Sequence, residues 1–489
     1  MQKKIYAISI VALLLGTIFN NLFYEKHIGI SVFIFVALII SATIIFSIHL
    51  KTSFRQAAGV ILAALFFSAM VAIRGNLFLT ALNILATTGL LLLTARILLQ
   101  EKLKDLYFKD YLTTVFVTPL MMIERAINTL SLILKPANNN SAGKWKHVLK
   151  GILMALPFLL FFGLLFVSAD LAFENFLSSV FSFPILEDLI SQLMIIGCVS
   201  FACLGLLAFL FNPNHKTGKT ENLEEKKIAD RKIETMVFLW LIAGLFFIFI
   251  IFQIAYLFGG SINIESGGFT YAEYARSGFW ELLVVAFVTL MVLTYMDFYT
   301  RRNEKRLSWF TLPSLLMTAE IFIIIISALK RMMLYQSAYG WTTLRLYVVG
   351  FIIFLASVFI ILAIKLLREK KNNFFAFGVF LTMITFLVSF NVLNPDHFIV
   401  QQNIQRFNET GIIDIDYLST ISADATIDIL NIYDRLNDND KRYILEKLTE
   451  QKSELEEDTK NWQSYNYSRK HSLHYLYDFL FDKKISDKQ

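Results

Sequence analysis

Residues 344–364 read LRLYVVGFIIFLASVFIILAI, and after Arg345 no charged side chain appears for nineteen positions. A helix of that length rises about 28 Å, close to the thickness of a bilayer's hydrocarbon core. A strand or the core helix of a soluble domain has no need of so long an apolar run. The pattern recurs along a chain of 489 residues that is 56% hydrophobic, has 47 phenylalanines and shows a mean hydropathy of +0.58. Charged residues are only 17% of it, where an ordinary soluble domain carries about 25%. A soluble globular enzyme, a disordered chain and a fibrous protein are excluded. Two cysteines are too few for a disulfide framework or a zinc ribbon.

Working outward from that run, the sequence predicts an all-α polytopic membrane protein with about eleven spans. They fall at 5–24, 28–48, 56–73, 77–98, 149–169, 189–211, 236–258, 277–297, 309–329, 344–364 and 374–393. Four lie in residues 1–99 and seven in 149–393. Between them, 100–148 reads as a cytoplasmic segment, and 394–489 forms a tail. The first span follows Lys3 and Lys4 and ends in Asn20-Asn21-Leu22-Phe23-Tyr24, which offers no small-residue cleavage site. It reads as a retained anchor. With the N-terminus cytoplasmic, inner segments hold 27 Lys and Arg and outer loops six: Lys26, Arg74, Arg276, Lys330, Arg331 and Arg345. The positive-inside bias thus sets the orientation and places the tail outside the cytoplasm. Residues 110–134 are fairly apolar but carry Pro119 and the Glu124-Arg125 pair. They read as an amphipathic helix on the inner surface.

The tail carries 12 Lys and Arg against 18 Asp and Glu, a net −6. The basic overall balance therefore reflects membrane topology and argues for no nucleic-acid partner. Ser422 is a plausible cap for a helix to Leu436. Asn437 to Asp440 form a turn, and further helices follow to Glu457 and over 468–481. Such a small domain is expected to lean on the outer loops or on an envelope protein partner.

Catalytic and cofactor motifs are sparse, and no cofactor is expected. Lys216-Thr217-Gly218-Lys219-Thr220 ends like a phosphate loop, but Pro213 stands where its earlier glycine belongs. Cys198 and Cys203 are five apart on one span and point about 140° from each other, so they form no pair. Asp414-Ile415-Asp416 and the His471, His474, Asp478 set read as solvated side chains before they read as metal ligands.

Two outer loops draw attention. Tyr271 to Glu281 and Tyr339 to Tyr347 each bring aromatics, a glycine and one arginine to a helix start. Arginine there opposes the helix dipole. Pairing of Arg276 with Glu273, or of either arginine with Glu281, is the structural explanation. The functional one is an outer pocket for an anionic, lipid-like ligand, formed by Arg276, Glu281, Arg345, Tyr274 and Trp341. Glu320, in the middle of the ninth span, is a candidate proton-coupling residue. Asp297 is expected to pair with the adjacent Arg301 and Arg302 at the membrane edge.

These loops also carry a resemblance. Tyr271-x-x-Tyr274-Ala275-Arg276-x-Gly278-Phe279-x-Glu281-Leu282 comes first, followed by Tyr339-Gly340-Trp341-Thr342-x-x-Arg345. After the last span come Asn394-Pro395-Asp396, Asn403-Ile404-x-Arg406-Phe407, Asp414-x-Asp416-Tyr417-Leu418 and Ser422-x-Asp424-Ala425. Over roughly 151–430 the chain resembles the bacterial membrane family known as domain of unknown function 4153/4173. The resemblance implies a polytopic protein of the bacterial cytoplasmic (inner) membrane and no particular activity. Three functions are carried forward. The first is binding or transport of an amphipathic anion, the second a scaffold or sensor acting through the tail. The third is a membrane-embedded enzyme on a lipid-linked substrate, with Glu281 or Glu320 as acid/base.

Overall fold

The computed structural model describes residues 2–49, 54–99, 102–133, 184–211, 232–258, 279–299, 308–368 and 372–486. Every regular element among them is helical. In chain order these are α1 (Gln2–Phe23), α2 (Ile30–His49), α3 (Ala58–Val71), α4 (Leu77–Leu98), α5 (Phe108–Phe116), α6 (Thr118–Ile133), α7 (Pro184–Phe211) and α8 (Lys232–Phe258). Then come α9 (Phe279–Tyr299), α10 (Ser308–Tyr339), α11 (Thr343–Leu367) and α12 (Asn372–Leu393). The tail adds α13 (Pro395–Thr410), α14 (Ile415–Ser419), α15 (Thr426–Ile432), α16 (Asp438–Asp458) and α17 (Tyr467–Ser486).

Seven of these are long and apolar enough to cross a membrane: α1, α2, α4, α7, α10, α11 and α12. The number becomes eight if the pair α5 and α6, bent by 45°, counts as one broken span. The described residues thus account for seven of the eleven spans expected from sequence. At 14 residues α3 rises about 21 Å, short of the hydrocarbon core. The span expected at 149–169 lies outside the described residues. Within the spanning helices, hydroxyls turn back onto their own backbone, as Thr87 does to the Asn83 carbonyl, Thr318 to Ser314 and Ser357 to Ile353. Where no water is at hand, that is the nearest acceptor.

The chain packs as two units. The first comprises residues 1–103, 109–217 and 452–473. Its core joins Ile8, Ala12 and Leu15 of α1 to Ala126 of α6 and Cys203, Leu204 and Leu207 of α7. The Asn20 amide donates to Gln192 at 3.3 Å, and the Tyr24 hydroxyl to Asp188 at 3.1 Å. So α7 runs antiparallel to α1, the relation that strict alternation requires of the first and sixth expected spans. The helix expected at the inner surface packs one of its faces inward. Met122, Ala126 and Ile127 bury one face of α6 in the bundle, while Glu124 stays exposed. Gly205 of α7 permits this close approach, because a Cβ there would meet the Met122 carbonyl oxygen at 2.6 Å.

The second unit comprises 104–108, 218–451 and 474–489. Leu239 of α8, Ala286 of α9, Met317, Ile321 and Ile324 of α10, and Ile352, Leu355 and Phe359 of α11 form its core. Each aliphatic side chain of that size contributes about 1.5–3 kcal/mol when fully removed from water. In a bilayer the gain comes from close packing instead.

The tail is docked. In the first unit, Asn466 donates to the carbonyls of Val71 (3.0 Å) and Arg74 (2.8 Å), the Tyr467 amide to Ala72 (2.8 Å) and the Ile30 amide to Tyr465 (2.9 Å). In the second, α13 and α14 close on the turn between α10 and α11. The sequence reading placed the helices from Ser422 onward well, with Ser422 capping the turn before α15 and Asn437 capping α16. It missed α13, which starts at Pro395 and stops at Gly411 (φ 72°), a proline-in, glycine-out signature.

Candidate functional site

The turn between α10 and α11 collects most of the described candidate residues. Gly340 ends α10 in the left-handed region (φ 77°), its amide bonded to the Gln336 carbonyl at 2.7 Å. This is the backbone state that favours glycine. A Cβ here would also meet Asn403 Oδ1 at 2.7 Å. Gly340→Ala is therefore expected to lower stability by about 1–3 kcal/mol and to loosen α13, read as a lower thermal midpoint in detergent. An unchanged midpoint would show that the turn adapts freely.

Asn403 of α13 clamps Trp341 from both sides. Its Oδ1 accepts from the Trp341 amide at 2.8 Å and its Nδ2 donates to the Trp341 carbonyl at 2.9 Å. The indole packs edge-on against Phe398, 5.3 Å between centroids. Thr342 caps α11. The Thr343 amide donates to the Tyr417 hydroxyl at 2.7 Å. Burial raises the Tyr417 phenol above its ordinary range while its bonds to Thr343 work the other way, so it remains a neutral hydroxyl.

Arg345 resolves the apparent conflict of an arginine at a helix start. Its guanidinium turns back to the carbonyls of Tyr339 and Gly340 and lies 4.1 Å over the Tyr335 ring. Arg406 of α13 donates to the neighbouring carbonyls of Ser337 and Ala338. Two cations thus neutralise the negative C-terminal end of α10. Tyr274 and Arg276, the rest of the expected outer pocket, lie outside the described residues, as does the side chain of Glu281. Of that pocket the structure brings together Arg345 and Trp341, and both hold the turn.

Glu320 lies inside α10 and is 3% exposed, and neither of its carboxyl oxygens has a hydrogen-bond partner among the described residues. Its helix packs on α8, α9 and α11, and its flanking residues Met317, Ile321 and Ile324 all belong to the core. An ionised carboxylate left alone there would cost several kcal/mol.

Asp297 has a partner that the sequence reading did not name. Its carboxylate pairs with Lys365 of α11, both side chains 1% exposed, and Lys365 Nζ also lies 5.3 Å from the Phe375 ring. Adjacency in sequence favoured Arg301 and Arg302, which lie outside the described residues. Lys365 closes an apolar helix and was counted with the following loop, so only packing could reveal the pair. In the tail, His397 Nδ1 meets Asp428 Oδ2 at 2.6 Å and Gln401 donates to Oδ1 at 2.6 Å, while Ser422 donates to the buried Asp396. Asp414 accepts from the Tyr417 amide at 3.0 Å, which makes it a helix cap.

In the first unit, α1, α2, α4, α6 and α7 enclose a groove of about 980 Å³. Its walls are almost wholly apolar, with Phe19, Phe35, Leu91, Ile123, Leu130 and Leu204 among them. The two free cysteines also face it.

No curated protein and no solved structure matches the chain. One family model does, described as Domain of unknown function (DUF4153), over residues 61–432, about three quarters of the chain. That stretch contains the Gly340 turn, Glu320, the Asp297–Lys365 pair and the Asn403 and Arg406 latch. The resemblance read from the outer loops and the ending is thereby confirmed, and the chain belongs to the DUF4153 family.

Proposed function

We propose that this membrane protein binds and moves an amphipathic, lipid-like anion across the bilayer, with Glu320 as the proton-carrying group. One observation carries the reading: a buried carboxyl without a hydrogen-bond partner among the described residues, inside a helix long and apolar enough to span. Ionisable groups at that depth are costly and mark ion or substrate pathways. An anionic headgroup would be met by Arg276, since Arg345 is committed to backbone carbonyls.

The test uses vesicles holding the full chain and a fluorescent acyl-labelled phosphatidylglycerol, under an imposed proton gradient. Wild type is expected to move the label between leaflets faster with the gradient than without it. Glu320→Gln, which keeps shape and removes the titratable proton, is expected to abolish the gradient dependence while helix content stays the same. Equal, gradient-dependent movement in both would remove Glu320 from the mechanism.

A second reading rests on the docked tail: a scaffold or sensor in which an envelope protein partner engages α13–α17. If deletion of residues 400–489 removes function and Glu320→Gln does not, this reading prevails.

A further inference from the structure

The stretch from Thr459 to Leu473 departs from the acidic tail around it. It contains Lys460, Arg469 and Lys470, no acidic residue, and the aromatics Trp462, Tyr465 and Tyr467. The structure fastens it to the ends of apolar helices in the first unit. The Tyr465 carbonyl accepts from Ile30, the first residue of α2, and the Tyr467 and Ser468 amides donate to Ala72 and Ile73, immediately after α3. Because α2 is long and apolar enough to cross a bilayer, Tyr465 is held at the level where that helix begins.

Burial divides the stretch by side chain. Gln463, Ser464, Asn466 and Ser468 point inward and are buried. Trp462 (63% exposed), Tyr465 and Tyr467 (52% exposed) point outward. Lys470 Nζ lies 5.5 Å over the Tyr465 ring, and Tyr467 stacks on His471 at 5.4 Å. Arg469 is turned to Asp458 at 3.4 Å, which leaves Lys460 and Lys470 as the exposed cations of the patch. Tryptophan and tyrosine favour the headgroup level, where ring and polar tip are both accommodated. Lysines there are drawn to anionic lipid.

We propose that Trp462, Tyr465, Tyr467, Lys460 and Lys470 form a membrane-docking surface that rests on anionic phospholipid headgroups of the leaflet facing the tail. Height and charge together select this occupant: aromatics at the start of a span, with a positive charge against the negative sign of the rest of the tail. The surface gives the tail a second hold, on lipid, beside its hydrogen bonds to the loops.

The experiment uses the full chain in vesicles and reads the fluorescence lost between wild type and Trp462→Phe, which isolates this one of six tryptophans. Bromines near the headgroup end of the acyl chains are expected to quench about half or more of that difference emission. Brominated phosphatidylglycerol is expected to act at about fivefold lower mole fraction than brominated phosphatidylcholine. Lys460→Gln/Lys470→Gln, two exposed changes, is expected to erase that preference. Emission untouched by brominated lipid but quenched by aqueous iodide would overturn the proposal, placing Trp462 toward water or a protein partner. Equal quenching by the two lipids would overturn the assignment to anionic headgroups.

Discussion

Lys365→Met is expected to destabilise the second unit by about 3–5 kcal/mol, the largest single-site effect outside backbone strain. The change takes the ammonium away from the Asp297 carboxylate, which is 1% exposed and hydrogen-bonded to it. Without that ammonium, the buried carboxylate draws water into the packed ends of α9 and α11. The double variant Lys365→Met/Asp297→Leu removes both charges and is expected to recover most of the loss, because an apolar pair of similar volume is often no worse than a buried ion pair. Unfolding midpoints in detergent for the two single variants and the double complete the cycle. A double variant as unstable as its parents would mean that the pair serves local geometry that methionine and leucine cannot replace.

Asn466→Ala is expected to release the tail from the first unit. Asn466 is buried, donates to the carbonyls of Val71 and Arg74, and accepts from the Arg469 amide at 3.0 Å. Alanine leaves those groups without their partner, at about 1–3 kcal/mol for each that stays buried. Hydrogen exchange reads the result directly. The Tyr467 and Ser468 amides, bonded to Ala72 and Ile73, are expected to lose protection. The Trp341 amide, held by Asn403, is expected to keep its own. Unchanged protection at Tyr467 would show that the backbone bonds hold the tail unaided.

The membrane class was legible from runs such as 344–364, because hydropathy is a local property that needs no knowledge of packing. Span number was less so. An apolar stretch looks alike whether it ends as the 14-residue α3 or the 32-residue α10, and lengths are set by caps and turns such as Gly340. The candidate site divides the same way. Glu320 stood out because a charge inside an apolar run is visible in one dimension. Arg345 stood out too, but its partners are the carbonyls of the preceding helix, and no side-chain motif announces a carbonyl. The Asp297–Lys365 pair joins residues 68 apart and Asn403 joins Trp341 across 62. Only the fold brings either together. The tail followed its own local grammar from Ser422 onward. Its docking did not, since Asn466 and Tyr465 bind backbone atoms of loops some 400 residues earlier.

The positive-inside pattern leads to the expectation of a multi-pass chain whose tail lies outside the cytoplasm. The most direct test places single cysteines in a Cys198→Ala/Cys203→Ala background and treats intact cells with a membrane-impermeant maleimide. Glu25, Ser337 and Glu454 are exposed positions on the α1–α2 loop, the end of α10 and the tail. Cysteines there are expected to react from outside. Cysteines replacing Lys104, whose carbonyl accepts from Asn373, and the exposed Phe374 are expected to react only after permeabilisation. Labelling of Glu25→Cys and Glu454→Cys from opposite sides of the membrane would contradict the account.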